Sequence, residues 1–343
     1  YAVCYAEISG ADTDNTWTDT GIRLQLSKIT TLQYQQFSTS FPVRNWPSTN
    51  VMPATNRMPQ VANAIVTYIG DLAADMWLAI VDTTLQGGNP CVHGATASAA
   101  ASSQQSGEQK AATGTKAVTI PQSTLLDATH TKIYAVCYAE TDGDTTDTTW
   151  RDSYIRVAVS KLASLSSHTP TITHYTDGSI ARHAALKLTY AGSLANNMWV
   201  SLVDQTLNSV TDSTIGVTAS FPCAAGSTAA ADADTLHSGS LQAGATSKVF
   251  TIDTVAMSTA KMFAVCYADA GGDDAANWVD TGIRLQLSKI TTLQFGIPMR
   301  TMTSSNIAAA TNVIPQEMNR VVTYTGDLAN DKWLSFVPSG LNN

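Results

Sequence analysis

The stretch YAVCYAEISGADTDNTWTDTGIRLQLSKITTLQ, Tyr1–Gln33, returns as YAVCYAETDGDTTDTTWRDSYIRVAVSKLASL from Tyr134 and as FAVCYADAGGDDAANWVDTGIRLQLSKITTLQ from Phe263. The first and third copies share the unbroken run DTGIRLQLSKITTLQ, Asp19–Gln33 and Asp280–Gln294. The repeat advances by 133 residues from Cys4 to Cys137 and by 129 from Cys137 to Cys266. A period of that size is too long for a solenoid unit and matches a whole domain. The 343 residues are therefore read as an array of modules, with strands as the building element.

Inside the repeat, Ile22, Leu24 and Leu26 alternate with Arg23, Gln25 and Ser27, the period of a half-buried strand. The apolar run Tyr1–Glu7 supplies its hairpin partner, across a polar loop, Gly10–Asn15, closed by Trp17. A second module recurs as Val66–Val81, Leu188–Val203 and Val322–Val337, two strands about a Gly-containing turn. Its second strand places Leu78 and Ile80, Val200 and Leu202, Leu334 and Phe336 on the expected core face. Trp77, Trp199 and Trp333 fall on the opposite face, beside Ala79, Ser201 and Ser335. Four prolines between Phe37 and Pro59 imply an irregular loop, which carries Trp46, the one tryptophan outside the repeated pattern. Residues 92–115 and 224–247 are biased to Ala, Ser, Thr, Gly and Gln and read as exposed loops, flexible excursions or O-glycosylated tracts. Further strand candidates are Lys116–Pro121 and Lys248–Asp253.

The closing part of each repeat, a strand, a short connection, Y-x-V-x-Y and a final hairpin strand, resembles the end of immunoglobulin-like and fibronectin-type sandwiches. The resemblance implies an all-β fold of tandem antiparallel β-sandwich (Ig-like) domains, about three repeats of ~130 residues, with incomplete terminal repeats. Two registers of the module are open, one that starts at YAVC and ends at the Pro-Cys and one that starts after SKI…L and ends on the IRLQLSKI strand. The second matches the resemblance, and in that register residues 36–165 and 166–295 are complete sandwiches. Residues 1–35 are the C-terminal hairpin of an incomplete repeat, and 296–343 the N-terminal strands of another. Cysteines fall into two positional classes, Cys4, Cys137 and Cys266 in YAVCY or FAVCY, and Cys91 and Cys223 after proline. They read as a disulfide framework of a secreted protein or as buried free thiols. The register assigns Cys91–Cys137 and Cys223–Cys266, each closing a loop worth roughly 4 kcal/mol in the chain-entropy model, and leaves Cys4 without a mate.

Apolar content of 44% with 13% charged residues is that of packed globular chains. With 19 basic against 27 acidic residues, a net charge of −8, no basic cluster exists to displace counterions from nucleic acid or to dock on anionic lipid. No apolar run reaches the ~18–20 residues that span a bilayer. The chain opens on Tyr1 inside a repeat and is read as a mature or truncated secreted product, extracellular or at a cell surface. No N-x-[ST] sequon is present.

Chemistry repeats far less than architecture does. Acidic loops offer candidate Ca2+ ligands at Asp142, Asp144 and Asp147, although no EF-hand spacing accompanies them. Asp19, Asp152 and Asp280 keep their place after the repeated Trp17, Trp150 and Trp278 and are expected to pair with Arg23, Arg156 and Arg284 in a hydrogen-bonded corner. The six histidines occupy no equivalent positions, and no GxSxG, HExxH, P-loop or GxGxxG is present. An enzyme is not expected, nor a cofactor. Trp150 and Trp278 are candidates for stacking on sugar rings. The leading expectation is a structural subunit of an extracellular filament or surface fibre, whose partners are copies of itself. It assembles head to tail, with strands of one subunit completing a domain of the next. The alternative is a secreted adhesin-like repeat protein that binds glycans.

Overall fold

A computed structural model describes residues 1–35, 43–48, 56–122, 124–167, 171–212, 217–296, 299–304 and 312–338. Most of the irregular loop expected over Phe37–Pro59 lies outside the described residues. Two β-sandwiches occupy the middle of the chain.

In the first, one sheet runs in the order Arg44–Pro47, Ile29–Tyr34, Ala64–Gly70, Ala117–Ile120. The facing sheet runs Arg57–Pro59, Arg151–Ser160, Tyr134–Ala139, Trp77–Asp82, Gln109–Lys110. All neighbours are antiparallel except Arg57–Pro59, which lies parallel to the end of Arg151–Ser160. The second sandwich repeats this plan. Its sheets run Ile172–His174, Leu162–Ser167, Leu186–Gly192, Val249–Ile252 and Asp177–Ile180, Val279–Leu287, Met262–Ala268, Trp199–Asp204, Leu241–Gln242. It adds a hairpin, Ser209–Asp212 with Val217–Ser220. Ile29–Tyr34 beside Ala64–Gly70, with Arg151–Ser160, Tyr134–Ala139 and Trp77–Asp82 in succession in the facing sheet, is the immunoglobulin-type arrangement. The fold is an all-β, Ig-like sandwich.

Alternation fills the space between the sheets. Ile155, Val157 and Val159 meet Leu78, Ile80, Val136, Tyr134, Tyr138, Val66 and Tyr68 in one core. Ile283, Leu285 and Leu287 meet Val200, Leu202, Phe263, Val265, Leu188 and Tyr190 in the other. Trp46 belongs to the first core and stacks on Tyr34 with ring centroids 5.4 Å apart.

The face carrying Trp77 is buried as well. Ala79, Val81, Ala135, Cys137 and Ala139 form a second cluster with Cys91, Ala97 and Trp150, and Trp77 packs against it. Its cover is the segment read from composition as a loose tract. Residues 92–115 turn through Gly94–Ala97 and pair Gln109–Lys110 with Trp77 and Leu78. The Ser106 hydroxyl accepts from the Ile80 N–H at 2.9 Å. The same happens over 224–247, with Gly226–Ala229 and Leu241–Gln242 against Trp199 and Val200. Small side chains let these segments lie close against the sheet, so low complexity here records packing.

The strands Ile29–Tyr34, Leu162–Ser167 and Ile290–Phe295 each open the sheet that follows them. The borders drawn at 35, 165 and 295 therefore fall at or inside an opening strand, and the modules change over at Ser27–Lys28, Ser160–Lys161 and Ser288–Lys289. No Gly or Pro marks the change, because the Ser hydroxyl does the turning. Ser27, Ser160 and Ser288 each donate to the carbonyl two residues on, at 2.9, 2.8 and 3.0 Å. Opposite the crossing sit Gly70, Gly192 and Gly326, at φ 133°, 121° and 127°. A Cβ there would lie 2.2–2.3 Å from the Lys28, Lys161 or Lys289 carbonyl oxygen, so only glycine fits.

Outside the sandwiches, Ala2–Tyr5 pairs with Thr18–Arg23, and Ile290–Phe295 stands between Arg300–Thr303 and Thr323–Gly326. Leu24–Ser27 and Trp333–Val337, whose counterparts in the sandwiches are strands, are not in a sheet.

Candidate functional site

The repeated Asp and Arg come together in all three copies. After the tryptophan, the arginine strand bulges against the cysteine strand, with a register shift between Ala2 and Cys4, Ala135 and Cys137, Ala264 and Cys266. The bulge puts its middle residue in the left-handed region: Gly21, Tyr154 and Gly282, at φ 76°, 63° and 83°. The Asp carboxylate holds this shape. In the second copy Asp152 Oδ1 accepts from the Tyr154 N–H at 2.6 Å and from Arg156 Nη1 at 2.8 Å, while Oδ2 accepts from Nη2 at 2.7 Å. Asp19–Arg23 and Asp280–Arg284 repeat the bidentate pair at 2.7 and 2.8 Å. Thr20, Ser153 and Thr281 donate across the bulge to the Val3, Val136 and Val265 carbonyls at 2.7, 2.7 and 2.9 Å.

What changes between copies is exposure. The Arg and Asp side chains are 59% and 49% exposed in the first copy, 26% and 23% in the second, 5% and 5% in the third. The third is covered by the preceding sandwich. Arg57 lies against Gly282, where an added Cβ would come within 2.9 Å of the Arg57 Cβ. Arg44 reaches across to Asp177 at 2.7 Å and to the Thr176 carbonyl at 3.2 Å. Gln60 accepts from the Ser193 hydroxyl of the second sandwich. Burial works against the charge on Asp280, but the Arg284 guanidinium and its hydrogen bonds, helped by Arg57, hold the carboxyl below its ordinary value. A carboxylate and a guanidinium that saturate each other leave no group free for proton transfer. In the third copy the corner is where the preceding module docks.

A second set of contacts clamps the first two crossings. The Lys28 and Lys161 N–H groups donate to the Tyr138 and Tyr267 hydroxyls at 3.2 and 3.0 Å, and their ammonium groups pair with Glu140 and Asp269. Sequence reasoning missed these partners, although the signal was present. A Lys follows the repeated Ser, and an acid follows Y-A, in every copy. Buried Asp82 and Asp204, paired with Lys132 and Lys261 at 2.6 Å each, were also missed. Arg44, Arg57 and Asp177 have no repeated signature to find.

The acidic loops serve their own backbone. Asp147 Oδ2 accepts from the Asp142 and Gly143 N–H groups at 2.8 Å, and Oδ1 from Thr149 N–H at 2.7 Å and hydroxyl at 2.5 Å. Burial opposes the Asp147 charge, yet the Thr149 hydroxyl and the three N–H groups prevail and hold its pKa at about 2. Asp144 Oδ1 accepts from Thr146 N–H at 2.7 Å and hydroxyl at 2.9 Å. The candidate Ca2+ ligands Asp142, Asp144 and Asp147 thus do not converge on a common point, and no group of three His, Cys, Asp or Glu side chains among the described residues is arranged to hold a metal ion.

Trp150 and Trp278 are buried, which removes them as sugar-stacking platforms. Trp150 packs on the Cys91–Cys137 disulfide and donates to the Asp144 carbonyl at 3.1 Å; Trp278 lies by Cys223–Cys266 and donates to the Asp273 carbonyl at 3.0 Å. An indole beside a disulfide gains more from apolar cover than from water. Trp77 and Trp199 are half-buried under Gly143 and Gly272, where an added Cβ would come within 2.3 and 2.1 Å of the indole. Trp17 and Trp333 are exposed, and Cys4 is an exposed free thiol.

No family model matches the chain, and no curated protein does. Among solved structures, it is similar to a crystal structure of Drosophila N-cadherin EC1-3, 11% identical over 70% of this chain and 66% of that one, with a TM-score of 0.19. A marsupial T cell receptor is 9% identical over 70% and 74%, with a TM-score of 0.17. No helix among the described residues is long and apolar enough to cross a membrane.

Proposed function

We propose that the protein is a structural subunit of an extracellular filament or surface fibre, assembled head to tail by strands of one subunit completing a sandwich with strands of another. The supporting observation is a mismatch in burial between equivalent residues. Ile155, Val157 and Val159 are at most 3% exposed, whereas Ile22, Leu24 and Leu26 are 54%, 51% and 70% exposed. Leu78 and Ile80 are 1% exposed, whereas Leu334 and Phe336 are 42% and 69% exposed, and Trp333 is 97% exposed. Large apolar side chains each gain about 1.5–3 kcal/mol on full burial, and unpaired strand edges invite strand addition. The first set belongs to the last strand of a sandwich and the second to its middle, so the two surfaces are complementary, not self-complementary. A contact of that kind is heterologous, and it propagates into a filament when the rotation from one subunit to the next does not close a ring.

Two disulfides in a chain of this class fit an oxidising, extracellular setting. The glycan-binding alternative has lost both of its candidate platforms to the interior. The reading is tested by electron microscopy and sedimentation of the 343-residue chain over a range of concentrations. Concentration-dependent filaments with an axial repeat of one chain support it; a monodisperse monomer at every concentration refutes it.

A further inference from the structure

The surface that completes the module is specified residue by residue, on the filament reading just given. We infer that the partner is a second copy of this chain, docked in a single register: its Trp333–Val337 antiparallel to Ala2–Ala6, its Val313–Pro315 parallel to Gln25–Ser27, and its Lys289 on Glu7.

Each part of that register has a formed counterpart in the first sandwich. There, Trp77–Asp82 pairs with Tyr134–Ala139, placing Trp77 opposite Ala139, Ala79 opposite Cys137 and Val81 opposite Ala135. The equivalent residues put Trp333 opposite Ala6, Ser335 opposite Cys4 and Val337 opposite Ala2. The parallel edge strand aligns Arg57, Met58 and Pro59 with Ala158, Val159 and Ser160. TNVIPQ, 311–316, matches TNRMPQ, 55–60, so Val313, Ile314 and Pro315 fall beside Gln25, Leu26 and Ser27. Val313 is exposed and lies in no strand. A cleft of about 580 Å³ is open along Leu24, Gln25, Leu26 and Ser27, with Tyr154 and Arg156 on its far wall. Half of the fastening is already made. Asn312 Nδ2 donates to the Thr303 carbonyl at 2.7 Å, as Asn56 Nδ2 donates to the Pro47 carbonyl at 3.0 Å; Asn56 also reaches the Arg156 carbonyl at 3.1 Å, whose counterpart is Arg23.

Charge and size then select a copy of this chain as the occupant. The clamp that joins Lys28 to Glu140 and Lys161 to Asp269 has Lys289 and Glu7 as its remaining members, and neither has a salt bridge among the described residues. Between the two sandwiches a large Arg57 faces Gly282. At the proposed junction the pair is reversed. Val313 replaces the arginine, and Tyr154, 63% exposed with its ring beside Arg156, replaces the glycine. The bulky side chain comes from the other partner, which keeps the junction filled.

Two variants of the full chain test this. Directly opposed residues in an antiparallel pair have Cβ atoms about 4.5–5.5 Å apart, so Ser335→Cys under mild oxidation is expected to link to Cys4 of another chain. The product is a ladder of covalent oligomers, absent from Cys4→Ser/Ser335→Cys. Lys289→Glu is expected to raise the critical concentration for assembly by about tenfold or more, and Glu7→Lys in the same chain to restore it. Filaments of the Ser335→Cys chain that form without the covalent ladder, and of the charge variants without the rescue, would overturn the register while leaving the filament reading in place. A parent chain that never assembles would remove the filament reading itself, and this inference with it.

Discussion

Asp19–Arg23 and Asp280–Arg284 have the same sequence, the same bulge and the same hydrogen-bond lengths, yet one pair is open to water and the other is closed off by Arg44 and Arg57. Removing one partner of a buried pair leaves a charge without compensation, whereas water screens an exposed one. Asp280→Ala is therefore expected to destabilise the second sandwich by about 3–5 kcal/mol, measured by denaturant unfolding, and Asp19→Ala to leave the unfolding midpoint unchanged. The loop carboxylate makes a pH prediction of definite sign. Asp147 titrates near 3.8 when free of the fold and at about 2 within it. Its contribution is complete above the unfolded value and is lost as the pH falls from 3.8 towards 2. Asp147→Asn should flatten the acid limb of the stability curve in that window, followed by circular dichroism. That Asp and Arg would meet was legible from their constant spacing. How deeply each pair would be buried was not, because the covering residues come from another module at positions that do not repeat.

The tryptophan strand shows how far periodicity carries. Leu78 and Ile80 do face the core, but Ala79 and Val81 on the other face are buried too, under a segment whose composition reads as loose. Alternation identifies one buried face and says nothing of a second cover that packs through small side chains. Cys91–Cys137 pins that cover, closing a separation of 46 residues. Cys91→Ala/Cys137→Ala is expected to cost about 4 kcal/mol and to release Trp150, seen as a red shift of its emission on top of the lowered melting temperature. The module borders were misplaced for a related reason. A serine hydroxyl turns the chain at Ser27, Ser160 and Ser288, with the needed glycine (Gly70, Gly192, Gly326) far away in sequence on the neighbouring strand.

Across the chain, burial divides along the modules. The two sandwiches enclose their apolar positions, while the flanking segments present the same positions to solvent. On assembly Trp333 is expected to pass under Gly10, as Trp77 lies under Gly143. A blue shift that grows with protein concentration, and that is lost in Trp333→Phe, checks this. The all-β class and the Asp–Arg corner were legible in the sequence alone, because each rests on residues that recur at constant spacing. The recurrence of the cysteines fits pairing in either direction, and only the fold shows Cys91 with Cys137 and Cys223 with Cys266. The tertiary structure decided which tryptophans are interior, where one module gives way to the next, and which corner is sealed. Those outcomes depend on surfaces brought together from distant parts of the chain, and burial is a property of what lies on the other side.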